Sequence, residues 1–219
     1  MRIPLLIAAG TALLTAFAQA AEPPCSAPRE VIERLMSSDC EACWSGAVAR
    51  PLPRSTWVLD WIEPGAAGAD APLAAGALPE AAARRQALAS PPPADDTREF
   101  RWPLARRPAV RLTVGGGPAW NGYLGLQLQA SGKPPEGAEV YLALVENIPA
   151  GSDGSPVARR LVRSVAGPLV LDADGRRSTQ WRALRIPDGA KPERLHGMAW
   201  WVDREARLRG IALEACAAR

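Results

Sequence analysis

The sequence has few of the residues on which hydrolytic and acid–base sites depend. Its 219 residues contain a single histidine, His196, and only two tyrosines and two phenylalanines. One histidine leaves little choice for a Ser/His/Asp arrangement, and no Gly-x-Ser-x-Gly elbow is present in the chain. The composition therefore disfavours an acid–base hydrolase.

An excess of one charge sign is also lacking. The chain has 26 Lys and Arg residues against 23 Asp and Glu residues, a formal net charge of +3. Its basic residues are scattered as pairs such as Arg84-Arg85 and Arg106-Arg107, whereas a nucleic-acid surface needs a basic stripe or an interleaved aromatic platform. We therefore expect no nucleic-acid partner.

Long apolar runs are lacking after the first twenty residues. Residues 1–20 have a basic start at Arg2, an apolar stretch, and a small-residue ending, Ala18-Gln19-Ala20, which is the pattern of a cleaved secretory signal. The apolar stretch is shorter than the roughly 20 residues that span a bilayer. We therefore predict a periplasmic or secreted protein with no membrane anchor after signal cleavage.

Cysteine is scarce, but two of the four cysteines form a Cys-x-x-Cys motif, Cys40-Glu41-Ala42-Cys43. The motif follows an apolar run, residues 31–36, and turn-prone residues 37–39. In an exported protein, this spacing at a strand-to-helix junction indicates thiol–disulfide chemistry on a thioredoxin-like scaffold. Cys40 is then the attacking thiol at the helix N-terminus, Cys43 is the resolving thiol, and Asp39 is the expected helix cap.

A thioredoxin-like site also needs a proline that faces the disulfide, normally in cis form and just before a strand. The segment Arg106 to Leu112 has this order, so Pro108 is the candidate. An ordinary trans proline that begins a strand fits the same residues equally well. The predicted partner is a small thiol or a protein that bears a thiol or disulfide, and we expect no cofactor.

The other two cysteines, Cys25 and Cys216, lie near the two ends of the mature chain. We expect a structural bridge between them, although four cysteines allow three pairings. A zinc site built from Cys40, Cys43 and two of Cys25, His196 and Cys216 is the alternative. No second cysteine pair has metal-ligand spacing, so we expect no metal.

The composition changes along the chain. Residues 63–98 are rich in Ala, Pro and Gly, and a short helix is expected at 78–88 because Pro79-Glu80 suits a helix start. From residue 110 onward, alternating apolar residues predict strands; Tyr123 to Ala130 is the clearest example. We predict an α+β (or α/β) protein. A signal peptide (1–20) precedes a thioredoxin-like half with an Ala/Pro-rich insertion (21–117) and an antiparallel β-sheet or sandwich (118–219).

Three segments resemble a family of exported, largely uncharacterised bacterial proteins that join a thioredoxin-like half to a β-rich half. Met36 to Cys43 is similar to the family's Cys-x-x-Cys element, Trp57 to Trp61 to its second strand, and Arg107 to Val110 to its proline-led strand. The chain departs from the family at Trp44, where proline is usual. The resemblance implies the fold more strongly than any activity.

Tryptophan is abundant, with eight residues. Most are expected to fill the core, but Trp44 and Trp61, near the thiols, are the candidates for an aromatic binding surface. Two functions remain open. One is thiol–disulfide exchange through Cys40 and Cys43, and the other is a non-catalytic periplasmic binding or assembly module whose Cys40–Cys43 disulfide is structural.

Overall fold

The described residues form two β-sheets with little helix. The computed structural model describes residues 27–47, 51–93, 95–171 and 176–214. The predicted signal peptide, Cys25 and Cys216 lie outside these residues. The elements, in chain order, are β1 (Glu30–Ser37), α1 (Glu41–Ser45), β2 (Thr56–Glu63), α2 (Pro79–Ala87), β3 (Arg98–Pro103), β4 (Arg111–Trp120), β5 (Tyr123–Ser131), β6 (Glu139–Ile148), β7 (Arg159–Leu169), β8 (Ser178–Arg185), β9 (Leu195–Val202) and β10 (Leu208–Leu213).

Seven strands form the large sheet, in the order β10-β9-β6-β7-β2-β1-β3. β1 and β2 are parallel along their whole lengths, whereas β3 is antiparallel to β1. β2 pairs with β7 in parallel through Asp60 and Leu161. This contact joins the N-terminal strands to β6, β7, β9 and β10, so the large sheet contains strands from both halves of the chain.

The small sheet is antiparallel, with the order β4-β5-β8. β4 and β5 form a hairpin closed by Asn121-Gly122, and both residues have positive φ (49° and 79°). Asn-Gly is the preferred pair for such a turn because it tolerates this backbone conformation. The hairpin therefore follows from local turn chemistry.

Each face of the large sheet contributes to a hydrophobic core. On one face Leu59, Trp61 and Trp200 pack with Ala81 of α2. On the other face Leu142 and Leu144 pack against Leu126 and Leu128 of the small sheet, within a cluster that the two sheets share. A smaller cluster of Met36, Trp44, Ile62, Ile148 and Leu161 lies next to the Cys-x-x-Cys motif. Within the described ranges, no helix is long and apolar enough to cross a membrane.

The predicted fold class, α+β (or α/β) with a thioredoxin-like N-terminal half, is wrong. The described residues are mainly strand, and the two α-helices have five and nine residues. α1 ends at Ser45, and Gly46 is its C-cap. The N-terminal strands also form no sheet of their own, because β2 hydrogen-bonds to β7 in the middle of the large sheet.

Candidate functional site

The Cys-x-x-Cys motif is a disulfide at the carboxyl end of β1. Cys40 and Cys43 are bonded, with their Cα atoms 5.3 Å apart. This confirms the prediction of a disulfide at the motif. Cys40 is the N-cap of α1, and its sulfur accepts a hydrogen bond from the backbone N–H of Cys43 at 3.2 Å.

The two cysteines differ in accessibility, in the opposite sense to the expected roles. Cys40, the expected attacking thiol, is only 6% exposed. Cys43 is partly exposed and lines a cleft. A partner molecule would therefore meet Cys43 first.

Asp39 does not cap α1, contrary to the expectation from the sequence. Its carboxylate instead accepts hydrogen bonds from the backbone N–H groups of Ala66 (2.7 Å) and Ala67 (3.3 Å). The adjacent Ser38 hydroxyl accepts the N–H of Gly65 at 2.8 Å. A Cβ at Gly65 would lie 2.3 Å from the Asp39 carboxyl carbon, so glycine is needed for this approach. These bonds hold the loop after β2 against the disulfide.

Arg159 of β7 binds the last turn of α1. Its Nη2 donates to the carbonyl oxygens of Trp44 (2.8 Å) and Cys43 (3.2 Å), which belong to the last turn of α1. Its guanidinium also lies 4.5 Å from the centre of the Trp44 ring. A cation near the carbonyl end of a helix is favourable, and the aromatic contact adds to this effect.

A buried carboxylate, Asp60 of β2, compensates the charge of Arg159. Asp60 is fully buried and lies 3.2 Å from Arg159 Nη1. It also accepts two hydrogen bonds from Arg34 of β1, at 2.8 and 2.9 Å. Burial lowers the pKa of Arg159, and the charge of Asp60 opposes this shift. The helix that carries the disulfide is thus anchored to the centre of the large sheet.

Trp44 is part of the core and offers no exposed binding surface. It is 6% exposed, and its indole N–H donates to the carbonyl oxygen of Asp153 at 2.8 Å. The Asp153 carboxylate in turn binds Lys191 (2.7 Å) and Arg194 (2.6 Å). Hydrogen bonds from Lys191 first, then from Arg194, lower the pKa of Asp153. Trp44 therefore seals one side of the disulfide.

A cleft of about 770 Å³ lies beside Cys43. Its lining includes Arg34 and Arg159 on one side and Glu99 and Arg101 of β3 on another. Arg34 and Arg159 share the single negative charge of Asp60, and the lining also includes Asp95 and Asp96. The cleft is thus of mixed charge, and its lining does not define one ligand class.

The remaining predicted residues do not meet at the disulfide. Pro108 lies beyond the start of β1, since Pro103 is paired with Glu30 and Leu104 N–H donates to Arg29. Cys40 follows the opposite end of β1, a strand length of about 25 Å away. Among the described peptide bonds only Gly167–Pro168 is cis, so Pro108 follows a trans bond.

Trp61 is 1% exposed and packs edge-to-face on Trp200, with ring centres 5.6 Å apart. It therefore belongs to the core, as Trp44 does. His196 lies in β9, opposite Val145 of β6. Within the described part of the chain, no group of three or more His, Cys, Asp or Glu residues is placed to hold a metal ion.

Likeness to other proteins does not indicate a function. Comparisons with protein-family models, with curated proteins and with solved structures give no match to this chain.

Asp60 and Arg159, which anchor the motif, are not predicted from the sequence. They are 99 residues apart, and no local pattern marks either of them.

Proposed function

We propose that the protein is an exported, non-catalytic binding module in which the Cys40–Cys43 disulfide is structural. The observation that carries the proposal is the burial of Cys40, which is 6% exposed. Export is supported by the basic start, apolar stretch and small-residue ending of residues 1–20. A disulfide also persists best in an oxidising compartment.

The chemistry of exchange explains why this burial matters. An incoming thiolate forms a bond to one sulfur of the disulfide and expels the other sulfur as a thiolate. Attack on Cys40 is hindered because the residue is covered. Attack on Cys43 would leave the negative charge on the buried Cys40. The hydrogen bond from the Cys43 N–H would stabilise this charge in part, but burial of a charge without a counter-ion is costly. Both routes therefore favour a disulfide that stays closed.

The bonds around the motif support the same function. Arg159 holds the last carbonyls of α1, and Asp39 holds the loop at 65–67. Opening the disulfide for exchange would require α1 to move, which would strain or break these bonds. The disulfide and these hydrogen bonds together connect β1, α1 and the loop after β2.

One observation favours a second candidate function, thiol–disulfide exchange through Cys43. Cys43 lines the cleft and is the more accessible of the two sulfurs. In such a reaction Cys43, rather than Cys40, forms the mixed disulfide. The trapping variant is therefore Cys40→Ala, which leaves Cys43 free.

The test compares the native and unfolded protein in glutathione buffers. Free thiols are labelled with a maleimide, and peptide mapping distinguishes Cys40 and Cys43 from Cys25 and Cys216. We expect labelling of Cys40 and Cys43 only after unfolding in urea, and no acceleration of insulin disulfide reduction. Rapid labelling in the native protein, or a mixed disulfide trapped by Cys40→Ala but not by Cys40→Ala/Cys43→Ala, would support the second candidate instead.

A further inference from the structure

The outer face of the small sheet exposes large aromatic side chains. Directly opposed residues of antiparallel strands project from the same face, so the pairing divides this face into rows that cross the strands. Leu126 and Leu128 of β5 point inward, which places Tyr123, Gly125, Gln127 and Gln129 outward. Four rows make up what we call the open face: Trp120–Tyr123–Arg185, Gly125–Ala183, Gly115–Gln127–Trp181 and Thr113–Gln129–Thr179.

The Gly125–Ala183 row has the smallest side chains, so it forms the floor of a furrow between the two neighbouring rows. A Cβ built at Gly125 would meet no heavy atom within 4 Å, and its φ is not in the left-handed region. At Gly115 the nearest heavy atom would be Gln127 Oε1, at 3.8 Å. Neither packing nor backbone geometry therefore requires glycine at these two positions. Glycine inside a strand weakens the strand and often marks a place where a ligand approaches closely.

Aromatic side chains stand on both sides of this floor. Trp120 is 82% exposed, Tyr123 46% and Trp181 61%, although large aromatic rings are normally buried. Tyr123 and Gln127, four residues apart on β5, are separated by about 13 Å. Exposed aromatic residues grouped on one face indicate an interaction site. The furrow has room for a flat ring between the Tyr123 row and the Trp181 row.

The polar groups of the open face indicate the ligand class. β4, β5 and β8 contain no Asp or Glu. Arg185 is in the Tyr123 row and has one exposed ion pair, with Asp188 at 3.7 Å, while Arg111 is opposite Ser131, next to the Gln129 row. Aromatic rings stack on the C–H faces of sugar rings, and amide and hydroxyl groups hydrogen-bond to sugar hydroxyls. Guanidinium groups pair with carboxylate, phosphate or sulfate.

We propose that the open face binds an acidic oligosaccharide, laid along the furrow and stacked on Tyr123 and Trp181. The proposal rests on the proposed binding function and names its surface and ligand. A second copy of the chain is a poor occupant, because a two-fold contact would bring together two faces whose strands bear arginine but no Asp or Glu. A single-stranded nucleic acid has similar chemistry, but it does not fit an exported protein.

Binding is measured by calorimetry and by tryptophan fluorescence with the mature full chain. The probes are oligogalacturonate as the acidic glycan, cellohexaose as the neutral glycan and a thymidine oligonucleotide as the nucleic acid. We expect oligogalacturonate to bind most tightly. Trp181→Ala and Gly125→Val are each expected to weaken its binding about tenfold or more, because one loses a stacking surface and the other fills the floor.

Two controls separate the open face from other surfaces. Val170→Ala alters an exposed apolar residue outside the open face, and Leu52→Ala alters the lining of the cleft beside Cys43. Both variants should bind like the wild type. Circular dichroism and thermal unfolding establish that Gly125→Val is folded. If that variant does not fold, Trp181→Ala and Arg185→Gln give the same test.

Several outcomes would overturn the proposal. They are no binding of oligogalacturonate, unchanged binding in both Trp181→Ala and Gly125→Val, or tighter binding of cellohexaose or of the oligonucleotide. These outcomes leave the non-catalytic function standing with another ligand. That function fails separately, if Cys43 exchanges in the native protein, and Cys40→Ala/Cys43→Ala should retain glycan binding in either case.

Discussion

The large sheet buries its charges in pairs, whereas the small sheet carries arginines with no carboxylate in its strands. In the large sheet Glu33 and Asp60 are fully buried, and each is bound by an arginine at 2.6–2.8 Å. In the small sheet Arg111 and Arg185 are exposed, among exposed aromatic residues. Paired buried charges hold strands in position. Exposed arginines remain available to a ligand, because the ion pair of Arg185 with the exposed Asp188, at 3.7 Å, is weak in water.

The largest expected effect comes from breaking a buried charge cluster of the large sheet. Asp60→Asn leaves Arg34 and Arg159 without their carboxylate, and loss of one partner of a buried ion pair costs about 3–5 kcal/mol. The free energy of unfolding is measured by urea titration. Asp70→Asn, at an exposed site, is the matched control, and a loss below about 1 kcal/mol at Asp60 would contradict this account.

A smaller effect is expected from removal of the disulfide. Cys40→Ala/Cys43→Ala opens a very short loop, for which the chain-entropy model gives about 2 kcal/mol. Urea unfolding should detect this loss, while the near-ultraviolet signal of the small-sheet tryptophans stays unchanged. A variant that no longer folds would indicate that the motif nucleates the large sheet as well as stabilising it.

A larger side chain at Gly125, on the furrow floor of the small sheet, should stabilise the protein. Gly125→Val is expected to raise the free energy of unfolding by about 0.5–1 kcal/mol, because glycine is unfavourable inside a strand and the site is open. Gly197→Val is the contrasting variant, since its Cβ would lie 2.7 Å from Leu126 and 2.9 Å from Val114. That variant should destabilise the protein; equal effects at the two glycines would refute the distinction.

The smallest effect concerns Asp153, whose exposed ion pairs with Lys191 and Arg194 lower its pKa. A lowered folded pKa stabilises the protein above the ordinary carboxyl value of 3.8, and this contribution is lost as the pH falls through the folded pKa. Exposed pairs contribute roughly 0.2–1 kcal/mol. Asp153→Asn should therefore lower stability at pH 7, and this loss should shrink as the pH falls below 3.8, as measured by thermal unfolding across that range.

Local patterns allowed several elements to be predicted from the sequence. Pro79-Glu80 begins α2 at Pro79, and the alternation at residues 123–130 corresponds to β5. These predictions succeed because capping and side-chain alternation act over a few residues. The aromatic surface was predicted at Trp44 and Trp61, which are buried, whereas the exposed residues are Trp120 and Trp181. Trp61 lies in the cluster with Ala81 of α2, and Trp44 in the cluster next to the disulfide, and composition does not reveal such packing.

The sequence by itself determined the disulfide at Cys40 and Cys43, the helix that begins at Pro79 and the alternation of β5, because each depends on neighbours a few residues away. Only the tertiary structure decided that Cys40 is buried and that one face of the small sheet stays open. Both depend on contacts between distant segments, such as Arg159 with Trp44 and Asp60. Burial is a property of the packed sheets, and no single segment encodes it.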